Sequence, residues 1–452
     1  MEERKLYPLN GSQEHVYMLA EMMQSYDVLH IVAHLEFRND VDEELMRRAI
    51  YESIKRLPFC NVRITRDADG RAWQYMSHEP PAPVDTVCFT AEDEKRQNEI
   101  FHDWCNEFFP TIEDVPLTRF RLIRYPDGHL GLIFVIQHMI MDGYVGVWTL
   151  QYVAETYIAL LDGTELPEPS PEPWEVLEAD AAFAGSPRWQ KQRDRYVEKY
   201  FSTEPQFTSV NGLGAPEFVE GKRYGRRQDI TQLGGKIIQH SLDTGLVQRV
   251  ADTAERLHVS PQILYMLALR SYLGHVSGTD DVSIDGMLAA RSTLVEKTCG
   301  MSLANGHCVR TIIPESTRFS DAVGAVFTAQ SDAMRLRKVE NLEVHRQIFE
   351  RFNTPDDCFY HSTWLTYFPP VHLPEDKLDL DGRFYISLCP TPLYVLVLPD
   401  STRGTLGVTY LYGDGYVQPE SIEKLHSFLV KFLSKAVEAP DRSLKELIDE
   451  SL

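Results

Sequence analysis

The chain has 452 residues, with 45 Lys and Arg against 67 Asp and Glu, a formal net charge of −22. That length exceeds what one ordinary core covers and predicts two large subdomains. The 43% apolar and 25% charged fractions are those of a globular chain rather than a disordered one. The acidic balance excludes a general nucleic-acid binder, which needs a basic face for phosphates.

No apolar run reaches membrane-spanning length, and no apolar segment follows the opening Met-Glu-Glu-Arg-Lys, so neither a membrane span nor a signal peptide is expected. The seven cysteines, at 60, 88, 105, 299, 308, 358 and 389, contain no CxxC and no zinc-site spacing. They read as reduced thiols in a cytoplasmic protein.

Residues 6–26 give Tyr7-Pro8-Leu9-Asn10-Gly11-Ser12-Gln13 and then a helix with Val16, Leu19, Ala20 and Met23 on one face, capped by Asn10 or Ser12. A strand is predicted over 31–37 and a helix from Asp42. A hairpin over 59–64 and 72–76 turns at Asp69-Gly70, and a helix covers about 91–108. The strand 116–123 pairs through Asp127-Gly128 with an unbroken apolar run at 132–136, read as a strand buried on both faces. Gln137-His138-Met139-Ile140-Met141-Asp142-Gly143 follows, and then a helix with Val147, Leu150, Ala154, Tyr157, Ile158 and Leu161 at helical spacing. A histidine at the end of a core strand, with Asp-Gly at a turn four residues on, places chemistry on a loop held by rigid elements.

Residues 162–174, with prolines at 167, 169, 171 and 173, break both helix and sheet. They set the expected organisation: a first subdomain over 1–165, a Pro-rich linker over 166–185 and a second subdomain over 186–452. In the second part, 186–200 is helical and charged, and 202–236 is irregular. Helices begin at Asp243, at Ser260-Pro261 and at Ser320, and a strand covers 281–288. Strands at 362–368, 383–389, 393–398 and 405–412 precede a last helix over 419–437.

The stretch 137–143 resembles the HHxxxDG motif of the chloramphenicol-acetyltransferase-like superfamily, most closely the condensation domains of nonribosomal peptide synthetases. Tyr7-Pro8-Leu9 through Gln13 resembles their opening motif, Pro116-Leu117-Thr118-Arg119-Phe120 their "gPLlRa" strand, and Ile284 to Arg291 followed by Cys299-Gly300 the segment before "IGxFVNT". Four motifs in order span nearly the whole chain.

The resemblance implies an α/β fold of two acetyltransferase-like subdomains in a V-shaped pseudo-dimer with a central tunnel. It implies acyl transfer from a phosphopantetheine thioester to an amine or hydroxyl. His138 would be the catalytic histidine, suited by its titration range to general-base work, and Gly143 would bring backbone N–H groups to the thioester carbonyl. Asp142, paired with Arg291 from the second subdomain, would hold the site in shape together with Gln137, which stands where the motif has its first histidine and can still donate a hydrogen bond. Tyr144, Trp148, His361 and Trp364 fall where the tunnel wall is expected.

The "FVNT" portion is altered to Ser302-Leu303-Ala304-Asn305, the DFGWG motif of plant-type acyltransferases is missing, and Gly234-Gly235-Lys236 lacks the serine of a carrier. No cofactor is expected to stay bound and no metal is suggested; the donor carries its own phosphopantetheine, on a carrier protein or CoA. The expected partners are acyl or peptidyl carrier proteins in trans and a small amine or alcohol, with no nucleic acid and no membrane, and the expected state is a monomer. Three readings stay open: a free-standing condensation enzyme, an acyl-CoA-dependent small-molecule acyltransferase, and a catalytically silent carrier-binding module. The basic groups Lys222, Arg223, Arg226 and Arg227, and Arg335, Arg337 and Lys338, read as solvated surface or as docking patches for an acidic carrier.

Overall fold

The computed structural model of the chain describes residues 5–26, 29–109, 111–227, 234–368, 377–385, 389, 391–400 and 404–452. In chain order the first elements are β1 (Tyr7–Pro8), α1 (Gly11–Met23), β2 (His30–Phe37), α2 (Glu43–Arg56), β3 (Val62–Arg66), β4 (Ala72–Met76), β5 (Asp85–Cys88), α3 (Ala91–Lys95), α4 (Gln97–Phe108), β6 (Thr118–Arg124), β7 (Leu130–Gln137), α5 (Gly143–Asp162) and α6 (Trp174–Phe183). Then come α7 (Pro187–Tyr200), β8 (Gly225–Arg226), β9 (Gly235–Leu242), α8 (Thr244–Arg256), α9 (Pro261–Val276), β10 (Asp281–Leu288), α10 (Leu294–Thr298), β11 (Asn305–Ile312), α11 (Phe319–Met334) and α12 (Asn341–Phe352). The chain ends through β12 (Cys358–Phe359), β13 (Thr363–Tyr367), β14 (Leu380–Tyr385), β15 (Leu393–Asp400), β16 (Thr405–Gly413), α13 (Pro419–Glu438) and α14 (Leu444–Asp449).

Two compact units result. The first takes in Met1–Ala182, Arg291–Ala304 and Val371–Ser387, and the second Phe183–Ala290, Asn305–Pro370 and Leu388–Leu452. Two segments of the 186–452 stretch therefore group with the first unit, something no local pattern announces.

The first unit is built on a five-stranded sheet in the order β14-β2-β7-β6-β5. The central strand β7 is buried at all eight residues and runs antiparallel to both β2 and β6. The unbroken apolar run is thus the signature of a strand covered on both faces. Helices α2 and α5 bury Ala49, Ile50, Ile54, Val145, Val153 and Tyr157 in the same core. The hairpin at Asp127-Gly128 forms, with Gly128 at φ 93°, as the turn requires. Asn10 caps α1 in a capping box with Gln13, so of the two candidates it is Asn10 that serves.

The second unit has a six-stranded mixed sheet in the order β11-β10-β13-β15-β16-β9, with β13 parallel to both β10 and β15. Its core centres on α9, buried without a break from Ile263 to Gly274. Such a helix is largely apolar on every side because protein surrounds it, and its buried Arg270 donates to the Asp280 and Ile313 carbonyls.

Several elements differ from expectation. The helix predicted over 91–108 is two, broken at Arg96. The Pro-rich stretch carries no regular element until α6, which begins directly after Pro173 inside the range read as linker. Strands β9 and β11 and helix α12 have no counterpart among the predicted elements. In β11 the buried polar residues His307 and Arg310 hide the strand pattern, because Arg310 is held by Asp281 at 2.6 Å rather than facing solvent. The strand expected over 383–389 starts earlier, pairs with β2 in the first unit, and has residues 386–388 outside those described. Ser260 makes no side-chain cap, although Pro261 opens α9 as expected.

All seven cysteines are free thiols. Among the described residues no helix is long and apolar enough to cross a membrane.

Candidate functional site

Strand β7 ends at Gln137 and α5 begins at Gly143, so the five residues between must turn the chain over the end of the sheet. The His138 N–H donates to the Leu29 carbonyl at 2.7 Å, and the Ile140 N–H to the Gln137 carbonyl at 3.1 Å. Met139, Ile140 and Met141 are fully buried, and from Leu130 to Asp142 the one residue that is not buried is His138. Its Nδ1 is buried with no hydrogen-bond partner among the described residues. Burial lowers the His138 pKa below its ordinary value of 6.5, opposed by the nearby charge of Asp142 and by the residue's own backbone. Burial thus favours the neutral form of the imidazole.

Asp142 is fully buried and works in two directions. As N-cap of α5, its Oδ1 accepts from the Val145 N–H at 3.1 Å. Its Oδ2 lies 2.9 Å from Arg291 Nη1 and accepts from the backbone N–H groups of Leu303 at 2.9 Å and Ala304 at 2.7 Å. The Arg291 side chain is equally buried. It donates from Nη2 to the Met301 carbonyl at 2.7 Å, and its guanidinium lies 4.7 Å from the Tyr144 ring centre. Arg291 belongs to the first unit with Asp142, rather than to the second as the resemblance implied.

The 291–304 loop is held from a third side by the start of α1. Asn10 Nδ2 donates to the Ser302 carbonyl at 3.0 Å and the Ser12 hydroxyl to the Ala304 carbonyl at 2.6 Å. Gln13, fully buried, donates to the Met139 carbonyl at 2.7 Å and exchanges a hydrogen bond with Gln74 at 2.9 Å. The opening motif thus braces the histidine turn. Its signal is visible in the sequence; its target is not.

Other site residues stand differently from their expected roles. Gln137 is fully buried, and neither side-chain polar atom has a hydrogen-bond partner among the described residues, so the expected hydrogen bond does not form. Gly143 is not among the glycines of positive φ. It opens α5, where its N–H has no intrahelical acceptor. Half-buried Trp148 packs on Phe59, ring centres 5.8 Å apart, and edge-on to Tyr152. His361 and Trp364 lie in the second unit, His361 Nε2 3.0 Å from Asp285 Oδ2 and Trp364 edge-on to Tyr394. The basic groups are partly engaged within that unit, Arg223 by Asp281, Arg226 by Asp357 and Arg335 by Asp332.

The family model described as "Condensation domain" matches residues 3–450. The chain is 24% identical over 474 residues to surfactin synthase subunit 1 of Bacillus subtilis (strain 168), covering 99% of this chain and 12% of that protein. It is 20% identical over 459 residues to surfactin synthase subunit 2 of the same organism, again covering 99% and 12%. The chain therefore spans a small part of the length of these relatives.

Among solved structures it is similar to the first condensation domain of the calcium-dependent antibiotic synthetase in complex with substrate analogue 3a, with a TM-score of 0.81 at 16% identity and 98% of each chain covered. It is also similar to a mutant of the starter condensation domain of rhizomide synthetase in complex with C8-CoA, with a TM-score of 0.80 at 15% identity, covering 98% of this chain and 97% of that one. At these identities the likeness carries the fold, mixed α/β of the chloramphenicol-acetyltransferase type.

Substitutions at Asp142, Arg291 and Gln137 test the energetics. Asp142→Ala strands the Arg291 charge and three backbone donors, at Val145, Leu303 and Ala304, so it should cost about 3–5 kcal/mol in denaturant unfolding. The Asp142→Ala/Arg291→Ala double variant should lose less than the sum of the two singles, because the partners are coupled. Gln137→Leu removes two unsatisfied buried polar groups and should gain about 1–2 kcal/mol in the same assay.

Proposed function

The chain belongs to the condensation-domain family, and from that premise we propose that it transfers an acyl group from a phosphopantetheine thioester to an amine, forming an amide. The observation that carries this reading is the placement of His138: half-buried, with Nδ1 turned inward, on a turn whose every other residue from Met139 to Asp142 is buried. A rigidly presented neutral imidazole is a base with a fixed aim.

In the proposed step, the acceptor nitrogen attacks the thioester carbonyl carbon while Nε2 takes the proton from that nitrogen. The C–N bond forms and the carbonyl oxygen carries the negative charge of the tetrahedral intermediate. Collapse breaks the C–S bond, and the proton passes from the imidazolium to the leaving pantetheine sulfur. The Gly143 and Tyr144 N–H groups at the positive end of α5 are the donors closest in sequence to the base, and Val145 is already taken by Asp142. Asp142 and Arg291 serve as positioning residues. The Asp142 carboxylate is occupied by its own donors and is not a relay for the His138 proton.

The donor is proposed to arrive on an acyl or peptidyl carrier protein supplied in trans. Acyl-CoA is the second donor, favoured by the similar starter domain in complex with C8-CoA. A silent binding module is the reading that Gln137 and the altered 302–305 segment favour.

The test offers acyl-loaded carriers and acyl-CoAs with a panel of amines and alcohols and reads product by mass spectrometry. Amide that depends on the carrier supports the proposal, amide or ester from CoA alone moves it to the second donor, and carrier binding without product moves it to the silent module. His138→Ala should lower turnover about 100- to 10,000-fold while leaving the unfolding curve unchanged. Wild-type turnover in that variant would contradict the role. The pH profile of kcat/KM should stay flat through neutrality and fall on the acid side only below the ordinary histidine value of 6.5, because the active neutral form is the one burial favours. An acid limb above 6.5 would contradict it.

A further inference from the structure

Three side chains far apart in sequence converge within the second unit. Asp285 sits on β10 between β11 and β13, His345 in the second turn of α12, and His361 just before β13. One ligand atom from each lies within 4.8 Å of the others: His361 Nε2 is 3.0 Å from Asp285 Oδ2, and His345 Nε2 is 3.8 Å from Asp285 Oδ1. Ligands at about 2.0–2.1 Å from a tetrahedral ion stand roughly 3.3 Å apart, so the observed spacing brackets that of a first-row metal site.

The surroundings fit the same reading. Asp285 is buried in the middle of a sheet, where a carboxylate is costly unless its charge is matched. Its Oδ2 has His361, whereas Oδ1 is buried without a hydrogen-bond partner among the described residues. At 3.8 Å the His345–Oδ1 distance is too long for a hydrogen bond and close to that of two ligands sharing an ion. The elements are well anchored. His361 bridges to Thr208 through its backbone, and α12 buries Val344 and Ile348 on either side of His345. Cys308, buried and directly opposite Asp285 in the β10–β11 register, shares that face of the sheet.

We propose that Asp285, His345 and His361 form a binding site for a divalent first-row transition ion, of which zinc is the representative. Two imidazole nitrogens and one carboxylate oxygen select this class over calcium and magnesium, which take oxygen ligands. The ion ties α12 to the sheet of the second unit, with a fourth position left to water or to the Cys308 thiol.

The experiment uses the full chain, freed of any histidine tag and stripped with a chelator, and titrates zinc alone. One equivalent should bind, counted by elemental mass spectrometry after gel filtration, and the unfolding temperature should rise. His345→Ala, at a side chain one-fifth exposed, should fold and weaken zinc binding by at least about tenfold. Asp285→Asn should do the same. If it does not fold, His345→Ala decides alone. No retained zinc and no shift in wild type, or equal binding by wild type and His345→Ala, would overturn the proposal and leave Asp285 and His361 as a plain ion pair.

Discussion

The buried carboxylate of Asp142 is the constraint on which the site depends. A charge taken fully out of water is tolerable only when every lone pair is met, and here four donors meet it: the start of α5, the Arg291 guanidinium, and two backbone N–H groups at 303 and 304. Each donor comes from a segment with its own anchorage, so satisfying one carboxylate fixes three pieces of chain at once. His138 inherits that rigidity from four residues away. Its turn is clamped by Asp142 on one side, by Leu29 through the backbone, and by Gln13 under Met139.

The loop that supplies those donors is not at ease. Met301 stands at φ 69° and Gly300 at φ 74°, in the left-handed region that costs a non-glycine residue energy, and Ala290 at φ 56° introduces Arg291. Gly300 could not be otherwise, because a Cβ there would come within 2.0 Å of the Phe59 ring. Strain of this kind persists only where the surroundings over-determine the backbone. The paired Arg291, the Asn10 and Ser12 contacts and the Met141–Met301 bridge supply that determination.

Much of this is legible in the sequence because it is local. The β7 run, the turn at Asp127-Gly128, the cap at Asn10 and the amphipathic spacing of α5 follow from rules that act over a few residues. The features that are not legible share one cause, a partner distant in sequence. Arg310 in β11 looks like a surface residue until Asp281 is seen beside it. Gln137 looks like a hydrogen-bonding substitute until its side chain is found buried with no partner among the described residues. Residues 380–385 look like part of a second domain until they pair with β2.

By itself the sequence determined which residue types stand at the turn after the central strand, and the order of four motifs that places the chain in its family. Those are properties of neighbours along the chain, set by periodicity, capping and turn chemistry. The tertiary structure alone decided which remote groups neutralise Asp142, what Gln13 supports, and that Asp285, His345 and His361 meet. The physical reason is that a buried charge or polar atom is satisfied by whatever the fold brings within about 3 Å, and no local rule records that distance.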